Sequence, residues 1–258
     1  MRIGRMLRNG APHYVIQRVR SGPWAWIDGP LSVNPTAGDD VPEDVLSSAL
    51  PAIDPRLLVG TANTVRPAGS ADPLTVFLKS PHTVAADGAA LVARTPAGVV
   101  AEAEIAVVIG QRMASVPASD VFEYVLGYTV VNDVTDQGEI PQDPRLFRAK
   151  NGSAYTPAGA WIETDFDPGG ARISIAVDDR TVSEATISGL HTPIAEQLAY
   201  ISEWTVLGPG DVVMTGCPGT AVAVRPGETV EVAVEGLGRV RSPVRLAADH
   251  GAPRSTTT

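Results

Sequence analysis

Cysteine is the scarcest informative residue in this chain. Cys217 is the only one among 258 residues, so no intramolecular disulfide can form and a cross-linked miniature fold is excluded. No apolar stretch approaches the roughly 20 residues that span a bilayer, and no internal repeat is evident. The first residues, Met1 to Leu7, turn polar too soon for a secretory leader, so a cytoplasmic location is expected. Basic residues are outnumbered, 20 to 29, giving a net charge of −9. With no basic run to release counterions, a nucleic-acid partner is not expected.

Hydrophobic residues at 44% and charged residues at 19% describe a globular chain, long enough for one large domain or a main domain with a small appendage. Residues 1–55 read as a small N-terminal unit with short strands at Tyr14–Val19 and Trp24–Ile27, then Pro/Gly/Asp-rich connections and one or two helical turns at Asp44–Leu50. Residues 56–248 read as the main domain and 249–258 as a flexible tail. Two helices are predicted in the main domain. The first starts at Ser119 as N-cap, with Val121, Val125 and Leu126 as its apolar stripe and Gly127 as its end. The second has Thr192 as N-cap, Pro193 in the first position, and Ile194, Leu198 and Ile201 facing the core. Elsewhere alternation dominates, as at Ile173, Ile175 and Val177, and again at Val230, Val232 and Val234 before the turn Gly236–Gly238. The fold class is α+β and β-rich.

Chemistry concentrates where Glu102 and Glu104 open the apolar run Ile105–Gly110. Residues two apart on a strand share a face, so these carboxylates project together at the entrance of a buried strand. That arrangement is unfavourable unless water, a proton or a cation neutralises it. Asp133, at the end of the apolar stretch Gly127–Asn132, can supply a third oxygen ligand. Three carboxylates suit Mg²⁺, Mn²⁺ or Ca²⁺ better than zinc.

These segments resemble the fumarylacetoacetate hydrolase superfamily. The resemblance rests on Glu102-Ala103-Glu104 with its apolar run, Gly127-Tyr128-Thr129 with Asn132-Asp133-Val134, and Lys150 with Pro157 and Gly159. It continues through Leu207–Pro218, Pro226-Gly227-Glu228 and Gly236-Leu237-Gly238. The stretch Phe77–Val84, which includes Lys79 and His82, resembles in particular the bacterial homoprotocatechuate-pathway enzymes. Those enzymes isomerise and decarboxylate unsaturated 2-oxo or 2-hydroxy dicarboxylic acids. The resemblance implies a mixed β-roll, usually a homodimer, with a lid segment over the site. Glu102, Glu104 and Asp133 match the metal ligands, and Lys150 matches the lysine that meets the substrate and the developing enolate.

The departures bear on the reaction. Hydrolytic members of the superfamily carry a histidine and a glutamate on the lid to activate water; Val59–Pro67 has neither, and no acid follows before Asp72. An arginine four residues beyond the metal-binding aspartate is Gln137 here. A threonine four beyond the lysine is Ala154, and the second threonine of the Thr-Gly-Thr-Pro turn is Cys217. His82 is the candidate replacement base, and Lys79, Gln137, Arg148, Thr215 and Cys217 are candidates for substrate contact. The expected activity is isomerisation or decarboxylation of a small 2-oxo or enol carboxylate through a metal-bound enolate, since both need a Lewis acid but no activated water. Two alternatives stay open: a C–C hydrolase of a diketo acid, and a binding or template protein of this fold recruited to a biosynthetic pathway.

Overall fold

The computed structural model describes residues 1–62 and 74–247. The expected tail, 249–258, and most of the lid stretch, 63–73, lie outside the described residues. Among those described, the strands form a ten-stranded sheet and a five-stranded sheet, with two short two-stranded ribbons. The large sheet runs, edge to edge, Thr36–Asp40, Ala25–Asp28, Ala11–Gln17, Arg2–Arg8, Trp161–Glu163, Val125–Asn132, Ala103–Ile109, Val212–Met214, Leu58–Ala62 and Thr75–Lys79. The small one runs Arg180–Thr186, Arg172–Val177, Thr229–Val234, Gly238–Leu246, Leu91–Ala93.

Ala103–Ile109 is buried at every position, because each of its faces meets a different core. Ile105, Val107 and Ile109 point to the core shared with the small sheet and the helix Ile194–Trp204. Ala106 and Val108 point the other way, into a core that also takes Leu58, Phe77, Val131 and Met214. Ile3, Ile16 and Ile27 complete that second core. The segment read as a small N-terminal unit therefore supplies four strands of the large sheet, joined through the pairing of Ile3 with Ile162, and shares its core.

The alternation readings hold. Asp178 and Asp179, with φ of 47° and 62°, make the two-residue turn between Arg172–Val177 and Arg180–Thr186, where both central residues of a twist-matched hairpin need positive φ. The second helix is present as Ile194–Trp204, with Ile194, Leu198 and Ile201 buried as expected, but its cap is Pro193 and not Thr192. The first predicted helix is corrected. Only a single 3₁₀ turn, Val121–Tyr124, forms before the chain enters the strand Val125–Asn132. Gly127 lies inside that strand, where a Cβ would stand 2.4 Å from the carbonyl oxygen of Glu163, so glycine serves a close strand crossing and not a helix end.

Candidate active site

Period-two alternation carries the apolar rows of the second core into a polar cluster. Glu104 follows Val108 and Ala106 on the same face, Asp133 follows Val131, and Lys79 follows Phe77. Glu102 sits on the break between Val99–Ala101 and Ala103–Ile109, where its N–H donates to Asn132 Oδ1 (3.0 Å) and its carbonyl accepts from Asp133 N (2.9 Å). The loop from Asp136 to Ala149, closed at its neck by Asp136 N to Ala149 O (2.8 Å), brings Lys150 back to the same place.

Two ammonium groups and three carboxylates meet there. Lys79 Nζ donates to Asp133 Oδ1 and to the carbonyl of Tyr155, both at 2.6 Å, and its side chain has no exposed area. Lys150 Nζ donates to Glu102 Oε2 at 2.6 Å and to Asp133 Oδ2, and lies 5.0 Å from the Phe77 ring centre. Thr135 Oγ1 donates to the same Glu102 oxygen (2.7 Å), and Gly216 N to Glu104 Oε2 (2.9 Å).

The electrostatics follow from burial and proximity. Burial raises the Glu104 carboxyl well above the ordinary range, and the charges of Asp133 and Glu102 add to it. Burial also works to raise Asp133, but the ammonium groups of Lys150 and Lys79 outweigh it and hold Asp133 low. Lys150 is raised despite its burial, because Asp133, Glu102 and Glu104 all favour its charge. Burial lowers Lys79, with Asp133 opposing and Lys150 adding to the effect. The Cys217 thiol, 3.7 Å from Glu102 Oε1, is pushed up to about 12 by burial and by Glu102 and Glu104, so it stays a thiol and is no nucleophile.

Not every candidate converges. Thr215 is fully buried and its hydroxyl is taken by the Ile105 carbonyl (3.0 Å), which makes it a clamp between neighbouring strands. Gln137 is exposed, and Arg148 pairs with Glu139 at 2.5 Å within the loop. His82 is exposed on a turn that Ser80 N ties to Asn151 Oδ1 at 2.6 Å, one residue past Lys150. An apolar cavity of about 590 Å³ lined by Phe122, Tyr128, Phe166, Ile187 and Leu190 includes none of the site residues.

Several supports were not foreseen. Gln197 uses its whole amide: Oε1 accepts from Thr61 Oγ1 (3.0 Å), while Nε2 donates to the carbonyls of Thr192 (2.9 Å) and Thr215 (3.0 Å). Asp143, itself buried, accepts from Arg148 N (2.6 Å) and Ala149 N (2.9 Å) through Oδ2. The composition itself carries a signal of the cluster. Lys79 and Lys150 are the only two lysines of the chain, against 18 arginines, and both are buried in one cluster.

A divalent cation was expected among these carboxylates. Among the described residues no three His, Cys, Asp or Glu side chains are drawn together to ligate one ion, and the Lys150 ammonium bridges Glu102 and Asp133 instead. The residues nonetheless fit such an ion in kind and charge. Three carboxylates face two ammonium groups, and the repulsion from Asp133 and Glu102 that adds to the effect of burial on Glu104 is what a cation would relieve.

Among the described residues no helix is long and apolar enough to cross a membrane. A Mycobacterium tuberculosis protein is 36% identical over 180 residues, covering 67% of each chain. The 4-hydroxyphenylacetate degradation bifunctional isomerase/decarboxylase of Escherichia coli is 36% identical over 171 residues, or 64% of this chain and 40% of that longer protein. The crystal structure of 5-carboxymethyl-2-hydroxymuconate delta-isomerase from Mycobacterium smegmatis matches with a TM-score of 0.85 at 27% identity, over 96% of this chain and 100% of that one. The family model for the fumarylacetoacetate (FAA) hydrolase C-terminal region matches residues 57–245, so the chain belongs to the fumarylacetoacetate hydrolase family.

Proposed function

We propose that this protein is a divalent-metal-dependent enzyme that carries a small 2-oxo or enol carboxylate through its enolate, leading to isomerisation or decarboxylation. The observation behind the reading is the meeting of Glu102, Glu104 and Asp133 with the chain's only two lysines at one end of the core. The isomerase and isomerase/decarboxylase relatives point the same way. Glu102, Glu104 and Asp133 would hold Mg²⁺ or Mn²⁺, with Ca²⁺ a further candidate. When bound, such an ion supplies Lewis acidity toward the carboxylate and keto oxygens of a 2-oxo acid.

The protein's own groups divide the remaining work. Lys150, its charge favoured by Asp133, Glu102 and Glu104, offers a hydrogen bond and a positive charge to the oxygen that becomes enolate. Lys79 stays behind Asp133 and fixes it, so substrate contact, expected of Lys79 from sequence, is not the role assigned to it here. His82, exposed on its turn, is not assigned the proton transfer here.

Proton exchange at C3 of oxaloacetate and acylpyruvates in D₂O, followed by NMR, tests this. Mg²⁺-dependent exchange that EDTA and Glu102→Ala both abolish is the expected result. Metal binding with no exchange on any 2-oxo acid would instead favour a binding or template protein. Cleaved acids carrying solvent oxygen would favour the C–C hydrolase.

A further inference from the structure

Lys150 stands on a helical segment too short to hold itself. Phe147–Lys150 is a single turn, and one turn fixes several dihedrals for one hydrogen bond, here Lys150 N to Leu146 O at 3.1 Å. The residue that enters it, Leu146, has φ of 57°, a left-handed conformation that a residue with a side chain rarely adopts. Propensity therefore does not explain why the turn forms. Asp143 does. Its Oδ2 receives two of the turn's free N–H groups, Arg148 N and Ala149 N, and its backbone carbonyl receives Leu146 N at 2.9 Å. Burial disfavours the Asp143 charge, but the N–H groups of Ala149, Arg148 and Phe147 outweigh it and hold the carboxyl below its ordinary range. At the far end, Asn151 Nδ2 donates to Phe147 O (2.9 Å) and Asn151 Oδ1 accepts from Ser80 N.

We propose that Asp143 is the positioning residue for Lys150: its carboxylate, seven residues upstream, builds the turn that aims the Lys150 ammonium between Glu102 and Asp133. The catalytic half of this inference rests on the function proposed above; the geometric half does not. The hydrogen bonds of Asp143 go to Arg148, Ala149, Leu146 and Ile140, all within its own loop and turn, so its removal should disturb one lysine and spare the other.

The composition of the chain makes that testable. Apart from the N-terminus, Lys79 and Lys150 are the only primary amines, so acylation by a small activated ester, read by peptide mass spectrometry, reports each separately. In the intact protein both should label slowly, since their side chains are 0% and 6% exposed. Asp143→Ala should speed labelling of Lys150 by roughly five- to tenfold, the effect of a lost cap on local opening, with Lys79 unchanged. Asp143→Asn keeps an acceptor oxygen and should restore most of the protection.

Equal labelling of Lys150 in Asp143→Ala and the unaltered protein would overturn the proposal. So would a parallel rise at Lys79, which would mean general loosening. The proton-exchange assay then separates the two halves. A fall in Asp143→Ala that Asp143→Asn recovers, with Mn²⁺ affinity unchanged, supports the whole inference. Faster labelling with undiminished exchange would retire Lys150 as a catalytic group and leave the positioning intact. If the unaltered protein shows no exchange at all, the proposed function fails while the labelling still decides the geometry.

Discussion

Glu104, Asp133 and Lys79 stand on strands of the large sheet or one residue past them, whereas Lys150, Arg148, Gln137 and His82 stand on turns. The first group is buried, and each member continues an apolar row whose spacing is set by the pleat. The second group depends on local bonds: Asp143 for Lys150, Glu139 for Arg148, and the Ser80–Asn151 contact for the His82 turn. Strand-borne groups are placed by the core as a whole, so disturbing them should show first as lost stability. Turn-borne groups are placed by a few hydrogen bonds, so disturbing them should show first in chemistry.

Lys79→Met tests the contrast most severely. It leaves Asp133 buried with one partner fewer, and removing one member of a buried pair costs about 3–5 kcal/mol, to be read from urea unfolding of the metal-free protein. Lys150→Gln should show the reverse balance, with a loss of proton exchange of roughly 10²-fold or more and less destabilisation than Lys79→Met. A destabilisation as large as that of Lys79→Met would erase the distinction between the two groups.

Glu104 gives a pH dependence. Its folded pKa is raised above the unfolded value, so its contribution to stability is full below about pH 4 and is lost as pH rises toward and through the folded pKa. Melting of the metal-free protein should therefore favour Glu104→Gln increasingly as pH rises from 4 to 8. A gap that stays flat with pH would show that Glu104 is not strained by its charge. The smallest effects should come from the exposed turns. His82→Ala should leave exchange within about threefold, since a general base would be worth 10²-fold or more. Arg148→Ala, whose side chain is 53% exposed, should shift stability by less than about 1 kcal/mol.

The same contrast explains what could be read from sequence. The pleat made Glu104 and Asp133 legible, because spacing on a strand fixes a face once the strand is identified. The sequence points Lys79 toward substrate, since spacing alone does not say whether a polar group faces a pocket or a counter-charge. The spacing of Val121, Val125 and Leu126 imitated a helix because the strand from Val125 is buried on both faces, which hides its alternation. Asp143 is hidden in the sequence for a local reason. Pro144 and the left-handed Leu146 separate it from the turn it caps, so no ordinary capping pattern is visible.

The saturated amide of Gln197 has a consequence for motion. It fastens Thr61, on the strand Leu58–Ala62, and Thr215, one residue past the parallel strand Val212–Met214, to the helix Ile194–Trp204, and the next residue, Gly216, donates its N–H to Glu104. Lifting the helix therefore draws on the residue next to the one that holds the acid. The amide proton of Gly216 should then exchange with solvent at the rate set by the opening of a helix some twenty residues away in sequence, and serve as a clock for it.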